Sequence, residues 1–177
     1  MDRSMVILVD EEDRPRGLAE KMDAHLRGEL HRAFSIFIFN DRGELLLQQR
    51  ALDKYHSGGL WTNTCCSHPV EEMKLEDFAR LRLKEEMGFD APLEKLFDFL
   101  YRADMENGLI EHEFDHVLTG SYNGTVSPDP REVLDHKFLS LDEISDSLDK
   151  FPQLYTAWFR MVFPRVKKWY QLQHPRS

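Results

Sequence analysis

Cysteine is nearly missing from this chain of 177 residues: there are two, and they are neighbours, Cys65 and Cys66. Adjacent thiols cannot build the framework of bridges that holds small secreted domains together. Long apolar runs are missing too. No stretch approaches the roughly 18 consecutive apolar residues of a membrane-spanning helix. The opening segment, MDRSMVILVDEEDRPRG, holds too short an apolar run for a secretory signal. These absences predict a cytoplasmic protein with reduced thiols and no membrane insertion. Positive charge is in deficit, 23 Lys and Arg against 32 Asp and Glu, for a formal net charge of -9. Such a field repels nucleic-acid phosphates, so no nucleic-acid partner is expected. An anionic small molecule is still admissible, provided a few cations gather locally. Repeats and low-complexity segments are also lacking. A chain of this length with 41% hydrophobic residues suits one domain, 1–177, with a real core.

What is present mixes strands and helices without a regular βαβ alternation. MVILV reads as a short strand, followed by the polar turn DEEDRPRG. HRAFSIFIFNDRGELLLQQRA reads as a hairpin, its two apolar runs flanking the turn signal Asn40-Asp41-Arg42-Gly43. EEMKLEDFARLRLKEEMG reads as a helix, with Gly88 placed to end it in a left-handed cap. LFDFLYRAD and LIEHEFDHVLTGSY alternate like strands around the turn MENG. SLDE, Ser140 to Glu143, fits a capping box that opens a short helix. Pro152 then starts a longer aromatic helix, about 152–173, with a kink expected near Pro164. The pattern predicts an α/β (α+β) layered domain with a mixed sheet.

Several residues stand out chemically. At about 100° per residue, Leu75, Phe78, Ala79, Arg82 and Glu86 share one helix face. Arg82 and Glu86 therefore occupy an apolar stripe, either as a solvated i,i+4 salt bridge or as charges that bind something. Glu111 and Glu113 in IEHEF project from one side of a strand, where two carboxylates repel unless a cation lies between them or one is protonated. For an isolated E-x-E, a solvated strand face is the commoner explanation. His25 and His31 precede the hairpin, and His68 follows the cysteines. Together, three imidazoles and two carboxylates could close a nitrogen and oxygen site for a divalent metal, although spacing does not establish that they converge. In TNTCCSHP an extended backbone sets Thr64, Cys66 and His68 on one side and Asn63, Cys65 and Ser67 on the other. Cys65 then fits a small core residue, and Cys66 shares the face of His68.

HRAFS, RALDK, LWTNTCCSHP, LKEEMG, YRAD and IEHEF, in this order and spacing, resemble the type 1 isopentenyl-diphosphate isomerases, a branch of the Nudix superfamily. The resemblance covers nearly the whole chain and implies a Nudix-type α/β/α sandwich. The Nudix signature, G-x5-E-x7-R-E-U-x-E-E-x-G-U, aligns at its end on Glu85-Glu86-Met87-Gly88-Phe89. Ser67 then stands at the first Gly, Met73 at the first Glu, Leu81 at the Arg and Arg82 at the second Glu. Most carboxylates that hold Mg2+ in Nudix hydrolases are gone. The isomerase branch is similarly degenerate, though its members usually carry Gly where Ser67 stands.

The resemblance implies that His25, His31, His68, Glu111 and Glu113 bind one divalent ion, Mn2+, Mg2+ or Zn2+, with Cys66 at its edge. It implies that Glu86 helps hold a Mg2+ bridging to the substrate, an allylic or homoallylic diphosphate. Lys21, Arg50, Lys54 and Arg82 are implied to hold that diphosphate, so that Arg82→Ala should weaken binding with little change in melting temperature. Cys66 and Glu113 are implied to move the protons, with Tyr101 hydrogen-bonded nearby and Trp158 facing the reacting carbons. The helix carrying Tyr155, Trp158 and Phe159 fits a lid that excludes water, and it fits core packing as well. The implied assembly is a monomer or a homodimer. Two other readings compete: a Nudix hydrolase of a nucleoside diphosphate derivative, and a catalytically dead Nudix domain that binds only a metal or a partner.

Overall fold

The computed structural model describes residues 1–175. Among them the chain order is β1 (Met5–Val9), β2 (Pro15–Glu20), α1 (Lys21–Arg27), β3 (His31–Phe39), β4 (Glu44–Arg50), β5 (Trp61–Thr62), β6 (Cys65–Ser67), α2 (Leu75–Met87), β7 (Glu94–Asp104), β8 (Ile110–Ser121), β9 (Val133–Ser140), α3 (Leu141–Lys150) and α4 (Ala157–Gln173). The strand β3 is apolar on both faces, and both are covered. Phe34, Ile36 and Ile38 pack with Phe78, Ala79, Leu83 and Met87 of α2. Phe37 and Phe39 pack with Phe159, Val162, Phe163 and Val166 of α4. A strand with period-2 side chains and apolar residues on both sides is stable only between two layers, which is the α/β/α arrangement.

The sheet is mixed. β3 pairs in parallel with β8 along its whole length, from His31 opposite Glu113 to Phe39 opposite Ser121. It pairs antiparallel with β6, setting Ser35 opposite Cys66, and briefly with β1. β7 and β8 form an antiparallel pair. The expected hairpin has its turn but not its ladder. Asn40 Oδ1 accepts from the backbone N–H groups of Arg42 and Glu44 at 3.0 Å, closing the turn. Beyond the register pair Phe39–Leu45, however, β4 swings away to pair with β9 and β5. Both partners of β3 are already taken, so β4 has to find others. Thr64 sits in the wedge between the diverging strands: its hydroxyl donates to the Leu46 carbonyl at 2.6 Å and accepts from the Ile38 N–H at 3.0 Å.

Three elements escape the periodicity argument. β2, PRGLAE, is mostly exposed and carries no apolar alternation, and the polar turn ends at Arg14, where Asp10 Oδ1 accepts from its N–H at 3.0 Å. α1 is only seven residues long, and β9 has one buried position. The aromatic helix also starts later than expected. Pro152–Leu154 makes a single 3-10 turn, Tyr155 is extended, and the Thr156 side chain caps α4. A hydroxyl at an N-cap defines the first turn better than a proline four residues upstream. The helix then runs through Pro164 without interruption.

Gly88 ends α2 at φ +78°, its N–H closing on the Lys84 carbonyl at 3.0 Å. The next segment returns across this end: Ser127 donates its N–H to the Met87 carbonyl at 3.2 Å, and Asp129 to that of Glu86 at 2.9 Å. A Cβ at Gly88 would fall 2.2 Å from the Ser127 carbonyl oxygen. Gly88→Ala is therefore expected to destabilise the fold by more than about 1 kcal/mol, from the left-handed backbone and the clash together. Thermal unfolding monitored by circular dichroism checks this, and an unchanged midpoint would contradict the assignment.

Candidate active site

Strand register assembles the site. The β3–β8 pairing puts His31 opposite Glu113, and the β7–β8 pairing puts Tyr101 opposite the same residue. Alternation on β8 turns Glu111, Glu113 and Asp115 to one face. α1 brings His25 over this face, and the chain leaving β6 brings His68. Donor atoms of His25, His31, His68, Glu111 and Glu113 all lie within 4.8 Å of one another. Apart from His68, which keeps a little solvent contact, all of these side chains are buried.

The backbone dictates how the imidazoles point. His25 Nδ1–H donates to the Lys21 carbonyl at 2.6 Å, and His31 Nδ1–H to the Glu29 carbonyl at 2.9 Å. Each ring therefore turns Nε2 inward, and in the neutral ring that atom is a lone-pair acceptor. His25 Nε2 lies 3.2 Å from Glu111 Oε1, and His68 Nε2 lies 2.9 Å from Glu113 Oε2. His31 Nε2 is 3.3 Å from Glu113 Oε2, but too poorly aligned to count as a hydrogen bond. It and Glu111 Oε2 are buried without a hydrogen-bond partner among the described residues. Lone pairs converging on carboxylates need positive charge between them. The pKa directions say the same. Burial works against the charged rings, yet Glu111 holds His25 and Glu113 holds His31 above the ordinary imidazole value. Burial pushes His68 down. Burial also opposes ionisation of Glu113, but His31 and His68 outweigh it and hold the carboxyl well below its usual range. Three nitrogen and two carboxylate donors with two orphaned atoms fit a divalent metal ion.

Beside this cluster lies a small cavity reached by Cys66, Glu113, Tyr101 and Trp158. Tyr101 Oη–H donates to Glu113 Oε1, and burial, then the Glu113 charge, push the phenol well above its usual value, so it stays protonated. The two thiols separate as strand alternation requires. Cys65 is fully buried on the α2 side, with Sγ 3.7 Å from Glu86 Oε2. Cys66 faces the cavity, where burial pushes its thiol up to about 12. Its Sγ–H donates to Asn63 Oδ1 at 3.1 Å and lies 3.5 Å from Ser35 Oγ, which donates to Asp115 Oδ2 at 2.7 Å. Alternation does not reach back to Asn63. The chain bends between β5 and β6, and Asn63 ends beside Cys66 instead of opposite it. The same Oδ1 accepts from Trp158 Nε1–H at 3.3 Å.

The remaining expected residues lie in a second group. Lys21 is half-buried, with its ammonium 4.7 Å from the centre of the Tyr55 ring. Burial, then the charge of Lys54, lower its pKa. Lys54 is paired with Glu132, and the same carboxylate lies 3.9 Å from Arg82. The Arg50 guanidinium stands 5.3 Å from the centre of the Trp158 ring, and its Nε is buried without a hydrogen-bond partner among the described residues. Glu86 and Cys66 lie outside the five-donor group. Glu86 is buried against Arg82 Nη2 at 2.7 Å and Gln48 Nε2 at 3.0 Å. That geometry revises the expectation for Arg82. It is nearly buried and neutralises a buried carboxylate, so Arg82→Ala must cost stability as well as affect binding. His56, Asn63, Ser35, Asp115 and Glu132 were not singled out from the sequence. They carry no spacing signal, and only the fold brings them here.

Residues 29–159 match the NUDIX domain family. Isopentenyl-diphosphate Delta-isomerase of Pectobacterium atrosepticum is 47% identical, over 97% of this chain and 96% of that protein. The isomerase of the same name from Burkholderia multivorans is 51% identical, over 91% and 92% of the two chains. Isopentenyl-diphosphate Delta-isomerase 2 of Aromatoleum aromaticum is 52% identical, over 91% of this chain and 85% of that one. Among solved structures, DR0079 from Deinococcus radiodurans has a TM-score of 0.76 at 15% identity, covering 91% of this chain and 98% of its own. A MutT protein from Methanosarcina mazei Go1 has a TM-score of 0.65 at 17% identity, covering 83% and 96%. At such identities the likeness concerns the fold.

A cation joining five buried donors should stabilise the folded state. At a Mn2+ concentration of 100 times its Kd, the gain is about 2.7 kcal/mol. Chelator-treated protein is expected to melt several degrees lower than the same protein with Mn2+ restored, read by differential scanning fluorimetry. A midpoint indifferent to chelator and to divalent ions would contradict a metal centre here.

Proposed function

The chain belongs to the NUDIX family and, within it, to the isopentenyl-diphosphate Delta-isomerases, and on that basis we propose how it interconverts isopentenyl diphosphate and dimethylallyl diphosphate. The observation that supports the reading best is the meeting of a thiol, a carboxyl, a phenol and an indole, Cys66, Glu113, Tyr101 and Trp158, on one buried cavity beside a metal-capable cluster. Met73 and Arg82 replace two carboxylates of the Nudix hydrolase signature, and Leu81 replaces its Arg, which speaks against pyrophosphate cleavage.

The reaction moves a double bond from C3–C4 to C2–C3. The π electrons of C3–C4 take a proton at C4, C3 becomes electron-deficient, and the C2–H electrons close the new bond as that proton leaves. An unactivated alkene is a weak base, so the site must supply a placed acid and a placed base in a dry volume. Cys66 Sγ and a Glu113 carboxylate oxygen divide the two transfers. Because the reaction is an interconversion, the group that donates in one direction accepts in the other. The Tyr101 hydroxyl holds Glu113 Oε1 by hydrogen bonding, while Oε2 faces the imidazoles of His68 and His31. Trp158 places its ring against the electron-deficient carbon, worth about 2 kcal/mol or more when desolvated. The start of α4 thereby closes the cavity to water. His25, His31, His68, Glu111 and Glu113 would hold Mn2+, Mg2+ or Zn2+, whose positive charge would tune the acidity of Glu113. Lys21, Arg50, Lys54 and Arg82 would receive the diphosphate, and Glu86 would help hold a Mg2+ that neutralises it. A reduced thiol in the site fits a cytoplasmic setting.

With isopentenyl diphosphate and Mg2+ in D2O, the expected product is dimethylallyl diphosphate carrying deuterium, read by NMR. Release of inorganic phosphate or pyrophosphate instead would sink the proposal. Cys66→Ala should lose about 10²–10⁴-fold in kcat, the usual contribution of a proton-transfer group. Cys65→Ala should keep near-parental turnover. Trp158→Phe should retain more activity than Trp158→Leu, because a weaker π face survives. Equal rates in two folded Trp158 variants would reduce the ring to packing.

A further inference from the structure

We propose that His56 is a positioning residue for the metal centre, acting through Glu111. The inference rests on reading the five-donor cluster as a metal site. His56 lies in the 51–60 segment between β4 and β5 and is 2% exposed. It is not one of the five donors. Its Nε2 contacts Glu111 Oε1, and its Nδ1 lies 3.0 Å from the Ser57 hydroxyl. That hydroxyl has a second neighbour, the Met105 thioether, at 3.8 Å. A carboxylate oxygen only accepts, so the contact with Glu111 calls for a proton on His56 Nε2. His56 thus differs from His25 and His31. Those two turn lone pairs into the cluster, with their Nδ1 protons held by backbone carbonyls. His56 turns an N–H at the carboxylate.

The consequence falls on Glu111. One oxygen, Oε1, takes the His56 N–H and also lies 3.2 Å from His25 Nε2. The other, Oε2, is buried without a hydrogen-bond partner among the described residues. A donor on one side fixes the rotation of the carboxylate and leaves the opposite oxygen for a cation. His56 is itself held firmly. Arg50 Nη2 donates to its carbonyl at 3.1 Å, and the Ser57 N–H donates to Glu106 Oε1 at 2.6 Å, tying the segment to the β7–β8 turn. Its ring meets the edge of Trp158 at 5.8 Å between centroids, so the same residue links the cluster to the cavity wall.

Hydrogen bonds to metal-ligating carboxylates typically change metal affinity by about 10–100-fold. The test is calorimetric titration of Mn2+ into chelator-stripped full-length protein, its His56→Phe and His56→Gln variants, and His31→Ala. Circular dichroism in chelator checks that each is folded. His56→Phe should weaken Mn2+ binding by about 10–100-fold. His56→Gln, which keeps an N–H donor, should recover part of that loss, and His31→Ala should lose more than either. Parental affinity in His56→Phe alongside a loss in His31→Ala would overturn the role of His56 and leave the metal centre standing. No Mn2+ binding by the parent, or none affected by His31→Ala, would remove the metal reading and this inference with it. A loss in His56→Phe as deep as in His31→Ala, without rescue by glutamine, would make His56 a ligand and not a positioning residue. Should His56→Phe fail to fold, His56→Asn, whose amide is too short to reach Glu111, takes its place, and equal affinity of the Asn and Gln variants overturns the proposal.

Discussion

Two carboxylates on one face of a buried strand are the constraint around which this protein is built. Glu111 and Glu113 repel each other, and neither can be left in the interior without compensation worth several kcal/mol. Three imidazoles and the cation they would hold with the carboxylates provide it, and each ring arrives on a different piece of chain: α1, the first residue of β3, and the segment leaving β6. The parallel pairing of β3 with β8 is what makes the meeting possible. A shift of one residue would turn His31 and Glu113 to opposite faces of the sheet. The double-sided apolar character of β3 guards against that shift, because it would also exchange the α2-facing and α4-facing side chains. Core packing and site geometry are therefore one specification.

The second group of charges obeys a different logic. On α2, Arg82 and Glu86 hold each other in a stripe that would otherwise be apolar, with Gln48 on the remaining carboxylate oxygen. Lys54 and Arg82 both look toward Glu132. Two of the four cations proposed for a diphosphate, Lys54 and Arg82, are therefore partnered by protein carboxylates, and an incoming anion would have to compete with Glu132 for them. An acidic protein thereby keeps a cationic patch without exposing unbalanced charge.

Local pattern carried much of this architecture. The period of α2 and its terminal Gly88, the Ser140 cap, and the alternation of β7 and β8 were all legible, because each depends on residues close together in the chain. The opposite facing of Cys65 and Cys66 followed from the same period of two. What local pattern could not reach was non-local or lacked an apolar signal. The separation of β4 from β3 depends on β8 and β6 having claimed both flanks of β3. β2 is exposed, so nothing in PRGLAE marks it as a strand. The five donors could be named by residue type, but their convergence needed the parallel register. His56 and Asn63 needed the bends of the 51–64 segment, which no periodicity describes.

The back-to-back placement of the two cysteines has a consequence for redox chemistry. They are the chain's complete thiol complement, and they face opposite sides of β6, one toward the α2 core and one toward the cavity. Cys66 consequently has no resolving thiol in its own chain. Were an oxidant in the cavity to convert it to a sulfenic acid, that group could not be captured as an internal disulfide. Further oxidation runs to the sulfinic and sulfonic acids, which ordinary thiol reductants do not reverse. The geometry that reserves one sulfur for the cavity also leaves that sulfur dependent on external thiols for its repair.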